Sequence, residues 1–152
     1  MEHADLKVAQ ISPENEVNRL IEKGYLSQKQ GGCIPSEYIT RCLNTTIMQR
    51  YINSSGKFKE VKFEVMVNAD VTGFSDCDEE HLLRGAVDCA FEENGEIVII
   101  DYKTDRTDNM QTLKEKYAPQ LNLYRIGLSA TLKKSVKQCY IYSFFLNDFI
   151  EV

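Results

Sequence analysis

No stretch of the 152-residue chain is apolar for more than four residues in succession, as it is from Ile97 to Ile100. A bilayer-spanning helix needs roughly 20, so no membrane role is expected and the chain reads as soluble. The five cysteines, Cys33, Cys42, Cys77, Cys89 and Cys139, contain no Cys-x-x-Cys pair and are odd in number. Neither a disulfide framework nor a zinc or iron–sulfur spacing follows, and a reducing cytoplasm suits such a set. The acidic opening Met1-Glu2-His3-Ala4-Asp5 has no apolar stretch behind it, so no export signal is expected. Long basic runs are missing too, and the net charge is −5. Charge alone therefore does not hold nucleic acid tightly, and any such role must rest on a site or on delivery by another module.

What is present is enough for an ordinary core: 43% of residues are apolar and 27% charged, outside the range of disordered chains. One domain over 1–152 is expected, with a helical opening at 1–56 and a strand-rich core at 57–152. Ser12-Pro13-Glu14 begins a helix, with a capping residue, a proline tolerated in the first turn and an acid near the positive end. Gly24 stops it, a second short polar helix follows Tyr25-Leu26-Ser27 and fades at Gly31-Gly32, Pro35-Ser36-Glu37 starts another carrying Tyr38, Ile39 and Leu43, and Asn44-Thr45 caps a further one carrying Ile47, Met48, Tyr51 and Ile52.

From Phe58 the period changes to two, with Phe58, Glu60 and Lys62 on one side and Val61, Phe63, Val65 and Val67 on the other. An acidic loop from Asp70 to Glu80 follows, then strands at Leu82 to Phe91 and Glu96 to Lys103 around Asn94-Gly95, a strong hairpin signal. A helix is expected from about Met110 to Ala130, interrupted or restarted near Pro119, then a last strand from Val136 to Leu146, after which Asn147-Asp148 turns the chain into a short ending, Phe149 to Val152. In the hairpin, Val87, Cys89, Phe91, Val98 and Ile100 take one side and Ala86, Ala90, Ile97 and Ile99 the other. Both sides are apolar, so an α/β fold with a mixed central sheet and helices on both faces is predicted.

If Asn94-Gly95 forms a type I′ loop, Glu93 pairs with Glu96 and the register carries Asp88 directly across from Asp101. Opposed residues place their Cβ atoms roughly 4.5–5.5 Å apart, and like charges there are destabilising unless something compensates. Lys103 lies two residues beyond Asp101 on the same face. At a frayed strand end, water would solvate both acids and Lys103 would form only a modest surface pair. Against that, Val98-Ile99-Ile100 runs straight into Asp101 and carries the acid into the sheet. Hard oxygen ligands without soft sulfur or clustered imidazole suit Mg²⁺, with Mn²⁺ able to substitute. Phosphodiester hydrolysis uses such an ion to activate water and neutralise oxyanion charge, with a lysine to stabilise the transition state or position the nucleophile. A desolvated Lys103 acting as general base is the other role open to it.

Gly85-Ala86-Val87-Asp88, then Ile97 to Ile100 leading into Asp101-Tyr102-Lys103-Thr104, then Gln120-Leu121-Asn122-Leu123-Tyr124 resembles the PD-(D/E)xK nuclease superfamily. The likeness is to its RecB-like branch and the nuclease domains of AddA-type helicase-nucleases. It covers Lys59 to the C-terminus well and the helical opening more loosely. It implies a restriction-endonuclease-like core and a Mg²⁺-dependent DNA exonuclease activity on single-stranded ends. Asp88 and Asp101 would ligate the metal with the Tyr102 carbonyl available to it, and Lys103 would be the catalytic lysine. Glu60 resembles the family's acid on the preceding strand, with Glu64, on the same face, as its competitor. Gln120 and Tyr124, four apart on one helix face, would support the site and the DNA. The family's upstream histidine in a Gly-x-x-x-His setting has no counterpart here, and neither His3 nor His81 is expected to replace it. The chain thus reads as a C-terminal piece of a larger helicase-nuclease, partnered by the helicase portion of its own chain and an AddB-like protein in double-strand break repair and recombination.

Arg84 and Arg106 flank the proposed site, and Lys114, Lys116, Lys133, Lys134 and Lys137 make the late part of the chain more basic. Asp76, Asp78, Glu79 and Glu80 lack an EF-hand spacing and read as a solvated loop. Two other functions compete: a noncatalytic nuclease-fold module for assembly or DNA guidance, and a stand-alone phosphoesterase for small substrates.

Overall fold

The computed structural model describes residues 3–68 and 80–152, and these divide into two compact units, Met1–Asn53 and Ser54–Val152. The predicted acidic loop, apart from Glu80, lies outside the described residues.

The first unit is helical: α1 (Leu6–Ile11), α2 (Pro13–Glu22), α3 (Gln28–Gly32), α4 (Ser36–Leu43) and α5 (Thr46–Asn53). Its helix starts follow from capping chemistry. Asp5 accepts from the Lys7 and Val8 N–H groups, Ser12 from Asn15, and Ser27 and Gln30 form a reciprocal capping box. The Thr45 hydroxyl accepts from the Met48 N–H, while Asn44 closes α4 instead of opening α5. α1 precedes the first helix expected from the sequence, because a six-residue segment is too short to show a clear period.

The second unit carries β1 (Lys57–Asn68), β2 (Glu80–Glu93), β3 (Glu96–Lys103), α6 (Met110–Leu132), β4 (Val136–Ser143) and β5 (Asp148–Glu151). The five strands form one mixed sheet in sequence order, antiparallel except between β3 and β4. A parallel pair needs a crossover connection, and α6 supplies it. Asn94 and Gly95 have φ of 56° and 84°, the two positive values a type I′ loop requires, and Glu93 pairs with Glu96 as expected. Ile97 to Ile100 are fully buried on both faces of β3. α6 seats Leu113, Leu121 and Leu128 in a core with Ala90, Ile97, Ile99, Cys139 and Ile141. That burial carries the helix unbroken through exposed Pro119, whose missing N–H forfeits a single backbone bond. No helix among the described residues is long and apolar enough to cross a membrane.

Two departures from simple alternation matter for the site. Phe58 pairs with Ala90 and Val61 with Val87, yet all four belong to or pack against the same core. Both spacings are odd, so the in-and-out phase of both strands changes between them, at Glu60 opposite Asp88. Glu60 takes a left-handed φ of 48° there, and Val87 sides with Ala90, not with Cys89 and Phe91 as alternation predicts. The other departure ends the last strand early. β4 stops at Ser143, and Asn147, with φ 51°, turns the chain into β5 while its side chain accepts from the Tyr142 hydroxyl.

Phe63 fixes α6 against β2. A Cβ on Gly85 would meet its ring at 2.4 Å and one on Gly127 at 2.3 Å, so the ring fills a slot that only two glycines leave open.

Candidate active site

The β2–β3 ladder runs from Glu93/Glu96 to Cys89/Ile100 and ends one step short of the two aspartates. In place of a further backbone bond, the Tyr102 N–H donates to Asp88 Oδ2 at 2.9 Å. The Asp88 carboxylate thus enters the seam between the strands, next to the phase change of β1 and β2. Asp101, carried in by the buried run before it, is 2% exposed. Its Oδ2 lies 2.6 Å from Lys103 Nζ as an ion pair and meets no other donor. Burial pushes the Asp101 carboxyl above its ordinary range; Lys103 pulls it down and the Asp88 charge adds to the rise.

α6 brings the remaining groups. Lys103 Nζ donates to Gln120 Oε1 at 2.7 Å, and Gln120 Nε2 donates to the Tyr124 hydroxyl at 3.1 Å. Burial, then the charges of Asp101 and Asp88, raise the Tyr124 hydroxyl above its usual pKa, which sets that oxygen within electrostatic reach of both acids. The Tyr124 ring meets Phe63 edge-on at 5.9 Å. Asp88, Asp101, Lys103, Gln120 and Tyr124 are therefore brought together.

The other candidates are placed differently. Glu60 is exposed at the β1 position opposite Asp88, whereas Glu64 is bound by the Arg84 guanidinium at 2.8 and 3.1 Å, away from the acids. His81 lies within β2, paired with Val67 and about 23 Å along the strand from Asp88. His3 stacks on Tyr25 at 3.9 Å in the first unit. Lys116, Lys134 and Lys137 pair with Asp105, Glu92 and Glu93, so acids already neutralise three of the five late lysines, while Lys114 and Lys133 are exposed. Arg106 is exposed.

Two side chains at the site escape sequence reasoning. The Tyr117 ring lies 4.1 Å beneath Lys103 Nζ, and its hydroxyl donates to Asp105 Oδ2 at 2.6 Å. The one signal for them is spacing: Tyr117 is three residues before Gln120 and so shares its helix face.

A divalent cation fits this donor set. Asp101 Oδ2 is a buried carboxylate oxygen that meets one ammonium and no other donor, Asp88 is adjacent, and every candidate ligand is hard oxygen. Among the described residues no group of three or more His, Cys, Asp or Glu side chains converges. Mg²⁺ needs no such cage, since it takes one or two carboxylates and keeps water.

The chain resembles known proteins over its whole length. It is 30% identical over 159 aligned positions to an ATP-dependent helicase/nuclease subunit of Clostridium botulinum (strain Kyoto / Type A2) and 33% identical over 159 to the corresponding protein of Ruminiclostridium cellulolyticum. Each alignment covers 100% of this chain, which spans only 12% and 13% of those relatives. The crystal structure of SSO0001 aligns with 95% of this chain and 64% of its own at 18% identity and a TM-score of 0.36. Residues 3–147 match the profile of the PD-(D/E)XK nuclease superfamily, and the chain belongs to that superfamily.

Proposed function

We propose that this chain is a Mg²⁺-dependent DNA exonuclease domain acting on single-stranded ends delivered by a helicase. The observation that carries the reading is the buried Asp101 carboxylate beside Asp88, whose Oδ2 meets the Lys103 ammonium and no other donor. Asp88, Asp101 and the Tyr102 carbonyl are the groups that would hold the ion. Bound there, Mg²⁺ would supply Lewis-acid polarisation of a phosphoryl oxygen and a water of lowered pKa. Lys103 contributes positive charge where the oxyanion develops. Its neighbours, a carboxylate, an amide oxygen and a π face, are those of an ammonium and support this electrostatic role over that of a base. Glu60, opposite Asp88, is better placed than Glu64 to assist, because Arg84 already occupies Glu64. Gln120 fixes Lys103, and Tyr124 extends the polar line toward the DNA.

The likeness to helicase/nuclease proteins supports a setting in cytoplasmic double-strand break repair and recombination, where the partners are the helicase portion of the same polypeptide and an AddB-like protein. The net charge of −5 agrees with delivery by a motor in place of strong intrinsic DNA affinity. A second reading, a noncatalytic nuclease-fold module for assembly or DNA guidance, draws on the absence of a third converging ligand among the described residues. Mn²⁺ titration of the chain and of Asp101→Ala separates the two. One saturable site lost on substitution supports the nuclease, whereas identical metal binding by both forms removes Asp101 as a ligand and favours the module.

A further inference from the structure

We infer that Tyr117, braced by Asp105, is a positioning residue for Lys103: its ring face holds the ammonium beside Asp101 while offering no oxygen that competes for a cation. This role rests on Lys103 acting in the proposed nuclease site.

Lysine is a point charge on a flexible four-carbon stem, so a catalytic lysine must be held by what surrounds its head. Nζ of Lys103 meets three groups: Asp101 Oδ2 at 2.6 Å, Gln120 Oε1 at 2.7 Å and the centre of the Tyr117 ring at 4.1 Å. An ammonium has three N–H donors, and three neighbours suffice for them. The neighbours differ in what a divalent ion does to them. Asp101 Oδ2 and the Gln120 amide oxygen are hard oxygens that a metal draws toward itself, whereas an aromatic face is not a ligand for such an ion. A cation–π contact therefore keeps Lys103 in place when Asp101 turns to the metal.

The ring is itself held. Its hydroxyl donates to Asp105 Oδ2 at 2.6 Å, and Lys116 Nζ meets Asp105 Oδ1 at 2.5 Å. Hydrogen bonds from Lys116 and then Tyr117 hold the Asp105 carboxyl below its usual range. Lys116 Nζ also lies 4.9 Å from the ring centre, but its side chain is 56% exposed, which weakens that contact against the one to Lys103. Asp105 comes from the segment just after β3 and Tyr117 from α6, so the clamp ties the strand that bears Asp101 and Lys103 to the helix that bears Gln120 and Tyr124.

The test joins NMR of the ¹³C-lysine-labelled chain to cleavage kinetics with Mn²⁺. In the native chain, the Lys103 ε-methylene protons, identified by their loss in Lys103→Arg, should lie upfield through the ring current of Tyr117. Tyr117→Phe, which keeps the ring but loses its bond to Asp105, should give a smaller shift of the same sign and cleave within about threefold of the native rate. Tyr117→Leu should abolish the shift and lower kcat about tenfold with KM unchanged. Asp105→Asn, which leaves the ring but loosens it, should give a smaller shift, and Lys116→Ala should leave the shift intact. A Lys103 resonance at its random-coil position in the native chain, or one unmoved by Tyr117→Leu, overturns the inference. So does a native cleavage rate in Tyr117→Leu when Lys103→Ala has lost activity. Unchanged cleavage in Lys103→Ala instead overturns the nuclease reading, and this role with it.

Discussion

At the Asn94-Gly95 end of the β2–β3 hairpin, Glu93 lies opposite Glu96, and at the other end the same register leads Asp88 toward Asp101. The turn end gives each glutamate its own relief. Lys137 pairs with Glu93, the Ser135 hydroxyl donates to Glu96 at 2.9 Å, and Lys134 attends to Glu92 nearby. At the open end Lys103 pairs with Asp101, and Asp88 accepts from the Tyr102 N–H. Each end thus sets one lysine and one neutral donor against two facing acids, and the ends differ in burial: the Asp101 side chain is 3% exposed, that of Glu93 29%. An acid pair at a strand end does not identify a metal site; an acid pair in which a buried strand keeps water from one carboxylate favours a cation there.

The sharpest way to break this comparison is to remove a lysine from each end. Lys103→Ala should lower metal-dependent cleavage by roughly 10²–10³-fold, while Lys137→Ala should leave cleavage at the native rate; equal losses would show that the ends do not differ in kind. Next comes the charge of Asp101 itself. Because its carboxyl is raised in the folded chain, its contribution to stability is complete below the unfolded value near 3.8 and is lost as pH climbs through the folded pKa. Asp101→Asn should therefore raise Tm by a few degrees at pH 7, and the two melting curves should converge below pH 3.8. At the turn end, Gly95 has a φ of 84° that an L side chain rarely adopts. Gly95→Ala should cost about 1 kcal/mol in urea unfolding without altering cleavage. The smallest effect belongs to the stability of Lys137→Ala, about 0.2–1 kcal/mol by the same measurement, as for solvent-accessible ion pairs in general.

The hairpin is legible in the sequence because Asn94-Gly95 permits one dominant turn, and a turn of known length sets every pair behind it. Asp88 and Asp101 can be brought to one place on that ground alone. The phase change is not legible: Glu60 is neither glycine nor asparagine, and nothing in Lys59-Glu60-Val61 announces a left-handed residue. For the same reason, alternation assigns Val87 to the wrong side. The turn at Asn147-Asp148 is legible, since asparagine tolerates the left-handed region, but the end of β4 at Ser143 is not, because Phe144, Phe145 and Leu146 prolong the apolar run. Tyr117 and Asp105 escape because their contacts cross from a strand end to a helix, and no sequence period connects the two.

Phe63 acts as a spacer in a lever. Its ring sets the gap between β2 and α6 at Gly127, and Gln120 stands seven residues, about 10 Å, further toward the helix start on the same face. A thicker or thinner group at position 63 tilts the helix about that contact and swings Gln120 relative to Lys103, although position 63 carries no chemistry. The side chain that sets the aim of Lys103's partner on α6 is thus a hydrocarbon ring two helical turns away.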